Sequence, residues 1–121
     1  VGWRGTVADI IAETVFAMGQ EFSTEPTDII AAISPSLGPC CAEFVNFRSE
    51  LPEALHGYQV RANYFDFWAI SRDQLCGVGV RPENIQAAGI CTCCNQDFFS
   101  YRRDRDTGRF ASVIEMKKTK D

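Results

Sequence analysis

Apolar positions first mark out a helix. Val7, Ile10, Ile11, Val15 and Met18 recur at three- and four-residue spacing up to Gly19, which gives one buried face. Thr6 followed three residues later by Asp9 resembles a capping box, so the helix is expected to start there. Ile29-Ile30-Ala31-Ala32-Ile33 is an unbroken apolar run closed by Ser34-Pro35 and predicts a buried strand. A turn is expected at Leu37-Gly38-Pro39-Cys40-Cys41, then extended chain over 42–47 and an irregular stretch over 48–64. Asp66 is placed to cap a second helix, carried by Phe67, Ile70, Gln74, Leu75 and Val78 and ended by Gly77 and Gly79. Arg81-Pro82-Glu83-Asn84 predicts a turn and 85–90 a short strand. Two further strands are expected over 98–103 and 110–116, joined by the turn Asp104-Arg105-Asp106-Thr107-Gly108, with a frayed charged tail over 117–121. Helices and strands alternate without a strict βαβ rhythm, so the expected class is α+β with a mixed β-sheet and helices packed on it.

Length makes this one domain, residues 1–121, with enough chain for a real core. A net charge of −4 argues against non-specific nucleic-acid binding. No apolar run approaches a membrane span and no leader opens the sequence, so a cytoplasmic protein is expected. The start at Val1, with Trp3 and Arg4 bracketed by glycines, reads as the middle of something longer.

Six cysteines are the obvious candidate chemistry. Cys91 and Cys94 have the C-x-x-C spacing of a zinc ligand pair, and Cys41 or Cys93 are candidates to add a third thiolate. No second such pair is evident. Neighbouring side chains in extended backbone point to opposite faces, so at most one of Cys40 and Cys41 is expected to face a site. Packed, reduced thiols are the preferred reading, and a small non-catalytic module holding zinc through Cys41, Cys91, Cys93 and Cys94 is the rival. Arg4, just ahead of the predicted helix start, is a candidate anion ligand. His56, beside a glycine in a polar loop, is assigned no role.

Four blocks in order resemble the YfiH-like family, also called the laccase-domain or multicopper polyphenol oxidase family. Gly2-Trp3-Arg4-Gly5-Thr6 is similar to its H-[AV]-G-W-R-G block, and Gly38-Pro39-Cys40-Cys41-Ala42-Glu43-Phe44 to its G-P-C-C-Y-E-V turn. Residues 66–80 resemble its D-L-x-x-A-N-x-x-Q-L-x-x-x-G-V helix, with Ser71 where asparagine is expected. Cys91-Thr92-Cys93-Cys94-Asn95, Phe98-Phe99-Ser100-Tyr101-Arg102-Arg103 and Thr107-Gly108-Arg109 resemble C-T-x-C-N, F-F-S-Y-R-R and T-G-R.

The resemblance implies the C-terminal half of a metal-dependent purine nucleoside phosphorylase or adenosine deaminase, with a polyphenol oxidase fragment as the older alternative. It implies purine nucleoside and phosphate as partners. Zinc or copper would be held in the intact domain by two histidines and a cysteine lying upstream of this sequence. No residue here matches a metal-ligand position, so neither a bound metal nor independent activity is expected of the chain alone. Arg4 then becomes the expected substrate or phosphate contact. Gly2, Trp3, Cys41, Cys91, Cys94, Ser100, Arg102 and Arg109 are expected to support the site around it. Surface left uncovered by the other half is expected to favour self-association.

Overall fold

The computed structural model describes residues 1–118; the tail expected over 117–121 lies outside them from residue 119 onward. The chain opens with two helices, α1 (Trp3–Val7) and α2 (Ile10–Phe22). The single helix expected from Thr6 is therefore broken. Asp9 sits in the left-handed region (φ 58°, ψ 42°) and turns the backbone between them, a conformation that Asp tolerates better than most residues. Thr6 is not a cap but an inner residue of α1, buried, with its hydroxyl donating to the Gly2 carbonyl (3.2 Å). α2 closes where Ser23 turns left-handed and donates its N–H to the Gly19 carbonyl (3.0 Å).

β1 (Ala31–Ile33) pairs in parallel with β4 (Ile85–Ala87), in the register Ala31 to Ile85 and Ile33 to Ala87. Both strands are shorter than the apolar runs that announced them. The pairing continues as an isolated bridge from Ser36 to Cys91, which brings the turn after β1 alongside the cysteine-rich loop. α4 (Phe67–Gly77) lies between the two strands in sequence and starts as expected, with Asp66 Oδ1 accepting from the Ala69 N–H (3.0 Å). Beyond it, Gly79 holds φ +103° and an added Cβ there would lie 2.9 Å from Pro26, so both conformation and space call for glycine.

A second sheet is an antiparallel pair, β2 (Gln59–Arg61) and β3 (Tyr64–Phe65), turned by Asn63 at φ 70°. The strands thus form two small sheets, one parallel and one antiparallel, within an α+β arrangement. Residues 42–47, expected to be extended, contribute only the bridge from Glu43 to Tyr64 before the short α3 (Phe47–Glu50). They carry core instead of sheet. Ala42, Phe44, Leu51 and Phe65 are buried together, with Trp3, Leu37, Phe47, Tyr58 and Phe67 packed around them. Phe44 sits at the centre, its ring 5.5 Å from Trp3 and 5.3 Å from Phe67.

The two C-terminal strands are absent among the described residues. Residues 98–103 are loop and turn, and 110–116 run without regular structure. Their aromatic and β-branched residues favour extended chain, but a strand needs a hydrogen-bonded neighbour and none of the described residues provides one. Val113, Ile114 and Met116 are consequently left 91%, 77% and 98% exposed.

Candidate functional site

Two features meet at Gly38. One is a cavity of about 550 Å³ between α1, α2, β1 and α4, with Trp3, Ile11, Ile33, Phe67 and Trp68 in its walls and Arg102 at its edge. The other is a group of four thiols. Gly38 separates them so closely that an added Cβ would lie 2.8 Å from the Trp68 ring and 3.0 Å from the Cys91 Cβ. Trp68 is itself fixed, donating its indole N–H to the Ser36 hydroxyl (2.8 Å).

The Sγ atoms of Cys40, Cys41, Cys91 and Cys94 all lie within 4.8 Å of one another. Cys94 is the hub, 3.1 Å from Cys40 and 3.3 Å from Cys41. Two expectations are corrected here. Adjacent Cys40 and Cys41 both face the cluster, because they occupy a tight turn in which the N–H groups of Cys41 and Ala42 both donate to the Gly38 carbonyl (3.1 and 3.0 Å). The opposite-face rule holds only for extended chain. Cys93, counted among the thiols of a zinc module, lies outside the cluster, and Cys40 takes its place.

Electrostatics distinguish Cys91 from Cys40 and Cys41. Burial opposes ionisation of Cys91, but N–H donors from Gly38, Cys94 and Cys93, together with the Cys40 thiol, outweigh it and bring this thiol down to about 7. Burial and the Cys94 thiol push Cys40 up to about 11, and the same causes raise Cys41 further. Ionisation is thus favoured at Cys91 and opposed at Cys40 and Cys41.

Arg103, not among the site residues expected from the sequence, organises the cysteine loop. Its guanidinium donates to the carbonyls of Thr92 (3.0 Å), Cys93 (3.4 Å), Asn95 (3.3 Å) and Phe98 (2.8 Å), and its Nε pairs with Asp104 (2.8 Å). Ser100 is buried and accepts from the Arg103 N–H (3.3 Å), so it holds the turn. Arg102 lies over the Phe44 ring (4.6 Å) and donates to the Glu43 carbonyl. Arg109 is exposed and, among the described residues, donates to the carbonyls of Thr107 and Gly108 beside it.

Arg4 does not precede a helix N-terminus; it is part of α1, exposed, with its guanidinium 5.1 Å from the centre of the Trp3 ring. Gly2 and Trp3 line the cavity, and Arg4 stands outside its lining. Ser71 is at the wall, whereas Ala42 is fully enclosed in the core and does not line the cavity. His56 donates from Nε2 to the Leu51 carbonyl (2.9 Å) and meets Phe47 edge to face (5.0 Å), a packed loop histidine. The chain's single histidine therefore cannot supply a centre built on two histidines and a cysteine.

Gly38, Cys40, Cys41, Trp68, Cys91 and Cys94 all fall within the family blocks, and the comparisons with known proteins agree. The family model described as multi-copper polyphenol oxidoreductase laccase matches residues 1–117, and the chain belongs to that family. It is 36% identical to purine nucleoside phosphorylase YfiH of Shigella flexneri, over 93% of this chain and 47% of that protein. It is 33% identical to a purine nucleoside phosphorylase of Bacteroides thetaiotaomicron, over 97% of this chain and 47% of that protein. The crystal structure of YlmD from Geobacillus stearothermophilus superposes with a TM-score of 0.73 at 32% identity, over 88% of this chain and 43% of that one. The chain thus spans about half the length of the curated relatives it matches. Among the described residues no helix is long and apolar enough to cross a membrane.

Proposed function

We propose that this chain forms the substrate-side wall of a metal-dependent purine nucleoside phosphorylase, with adenosine deamination as a related activity of the same site. The supporting observation is the similarity, along more than nine tenths of the chain, to two proteins that carry the phosphorylase name. The cavity's chemistry is compatible with this reading. Trp3, Phe67 and Trp68 present flat apolar surface suited to a purine, and Arg102 offers a cation at the edge. Arg4 is the proposed phosphate contact, since its exposed guanidinium, resting near the Trp3 ring, presents a planar fork suited to a bidentate pair.

The centre implied by the family, zinc or copper held by two histidines and a cysteine, would polarise substrate or activate water in the intact domain. Its ligands correspond to no residue here, so no chemical step is assigned to this chain by itself. Inosine or adenosine incubated with the chain and inorganic phosphate should release no free base by chromatography, and robust phosphorolysis would overturn the proposal. Fused behind the upstream half of a relative such as YlmD, the chain should support turnover. Arg4→Ala in that fusion should raise KM for phosphate about tenfold, the loss of one charge-assisted contact of roughly 1.4 kcal/mol. The oxidase reading predicts oxygen-dependent turnover of a phenol by the same copper-loaded fusion, lost under argon.

We also infer self-association through the exposed apolar stretch containing Val113, Ile114 and Met116. Sedimentation should show a concentration-dependent dimer that charged replacements at Val113 and Ile114 abolish; a monomer at all concentrations would dismiss it.

A further inference from the structure

We propose that Cys40, Cys41, Cys91 and Cys94 hold a single zinc ion as a structural tetrathiolate clip, distinct from the histidine-containing centre implied for the family. Two loops that are remote in sequence each supply a pair of ligands. The first pair comes from the Gly38-Pro39-Cys40-Cys41 turn and the second from the C-x-x-C loop, which is closed by the Asn95 N–H donating to the Cys91 carbonyl (3.0 Å). This is the two-pair arrangement of structural zinc sites, with an adjacent pair in a turn standing where a second C-x-x-C would be.

The size of the cluster points to one ion. Tetrahedral zinc with Zn–S near 2.3 Å places its sulfurs about 3.8 Å apart. The shortest separations, 3.1 Å from Cys94 to Cys40 and 3.3 Å from Cys94 to Cys41, fall below that edge, and none of the others exceeds it by more than about 1 Å, since all four sulfurs lie within 4.8 Å of one another. Shifts of less than an ångström in side chains that are mostly accessible would bring all four to it. A disulfide requires about 2.0 Å between two partners, and here Cys94 is nearly equidistant from two thiols, with the Cys91 sulfur within 4.8 Å of all three.

The surroundings suit an anionic complex. Four thiolates and one dication leave two negative charges, which must be met by donors and nearby cations. The Gly38 N–H already donates to Cys91 Sγ (3.3 Å). Arg61 donates to the Cys40 carbonyl (3.2 Å) on one loop, and Arg103 holds the Thr92 and Cys93 carbonyls on the other. Each guanidinium sits against one ligand-bearing loop. Cys91 is buried while Cys40 and Cys94 are exposed, so the site has a fixed floor and an open side for the ion to enter. The clip would lock the segment after β4, which among the described residues has no helix or strand of its own, against the turn that borders the cavity.

The test uses the full 121-residue chain, kept reduced and without chelator. Elemental analysis should find one zinc per chain, and cobalt in its place should give intense thiolate-to-cobalt charge transfer with the visible bands of a tetrahedral ion. Cys94→Ser should lower zinc affinity by roughly tenfold or more in competition with a chromophoric chelator, because structural zinc binding is concentrated in its thiolates. Cys76→Ser and Cys93→Ser, which lie outside the cluster, should bind zinc as the parent does. A ligand variant that unfolds would lose metal trivially, so the cobalt spectrum of the unsubstituted chain carries equal weight. Six freely titratable thiols with no bound zinc or cobalt would overturn the proposal. So would a Cys94 disulfide in protein isolated without air, two irons in place of one zinc, or unchanged zinc binding by Cys94→Ser. None of these readouts depends on phosphorolysis, so the clip and the proposed activity stand or fall separately.

Discussion

The region around Phe44 and the region from Cys91 to Arg109 are ordered by different physics. In the first, Ala42, Phe44, Leu51 and Phe65 exclude water from one another and aromatic rings close the gaps between short elements. In the second there is almost no buried apolar surface beyond Cys91, and the backbone is held by one guanidinium reaching four carbonyls and by facing thiols. Burial is non-directional and tolerant of small shifts. A carbonyl network depends on geometry and charge, so the second region should respond sharply to changes the first ignores.

The largest expected effect lies in the apolar region. Phe65 is fully buried, and Phe65→Ala should cost about 3–5 kcal/mol, read as a lower urea midpoint for the whole chain. Arg103→Lys keeps the charge but loses the planar fork, and on the order of 2–3 kcal/mol should follow from carbonyls left without donors. Its signature should be local, with hydrogen exchange accelerated over 91–98 while amides near Phe65 keep their protection. Equal loss of protection in both regions would show that the two are not energetically separate. Gly38→Ala sits on their border. The added methyl must displace Trp68 or Cys91, at about 1–3 kcal/mol, and both Trp68 fluorescence and thiol reactivity should change together. Smallest is Arg4→Ala, an exposed position at which stability should move by no more than about 0.5 kcal/mol. A larger loss would make Arg4 a structural residue and remove the case for a phosphate contact.

The same division governs what could be read from the sequence. α4 was legible down to its cap because apolar spacing and the Asp66 cap are local signals. The break between α1 and α2 was not, since it rests on a left-handed Asp9 with no glycine to mark it. The strands expected over 98–103 and 110–116 show how aromatic and β-branched residues report a liking for extended chain but not the neighbour that would pair with it. At the candidate site, the blocks containing Gly2, Trp3, Cys41, Cys91, Cys94 and Arg102 were picked out, and all of these line the cavity or join the thiol cluster. Cys40 was set aside by a rule for extended chain that a turn does not obey. Arg103 is not legible as a site residue because its partners are mostly backbone carbonyls, which leave no pattern in side-chain chemistry.

Gly38 acts as a party wall. The Trp68 ring on one side and the Cys91 methylene on the other approach so closely that no side chain fits between them. A change that enlarges or tilts the cavity's aromatic face is therefore transmitted to the thiols without any intervening layer to absorb it. Anyone redesigning the cavity for a bulkier guest would be redesigning the sulfur cluster in the same stroke.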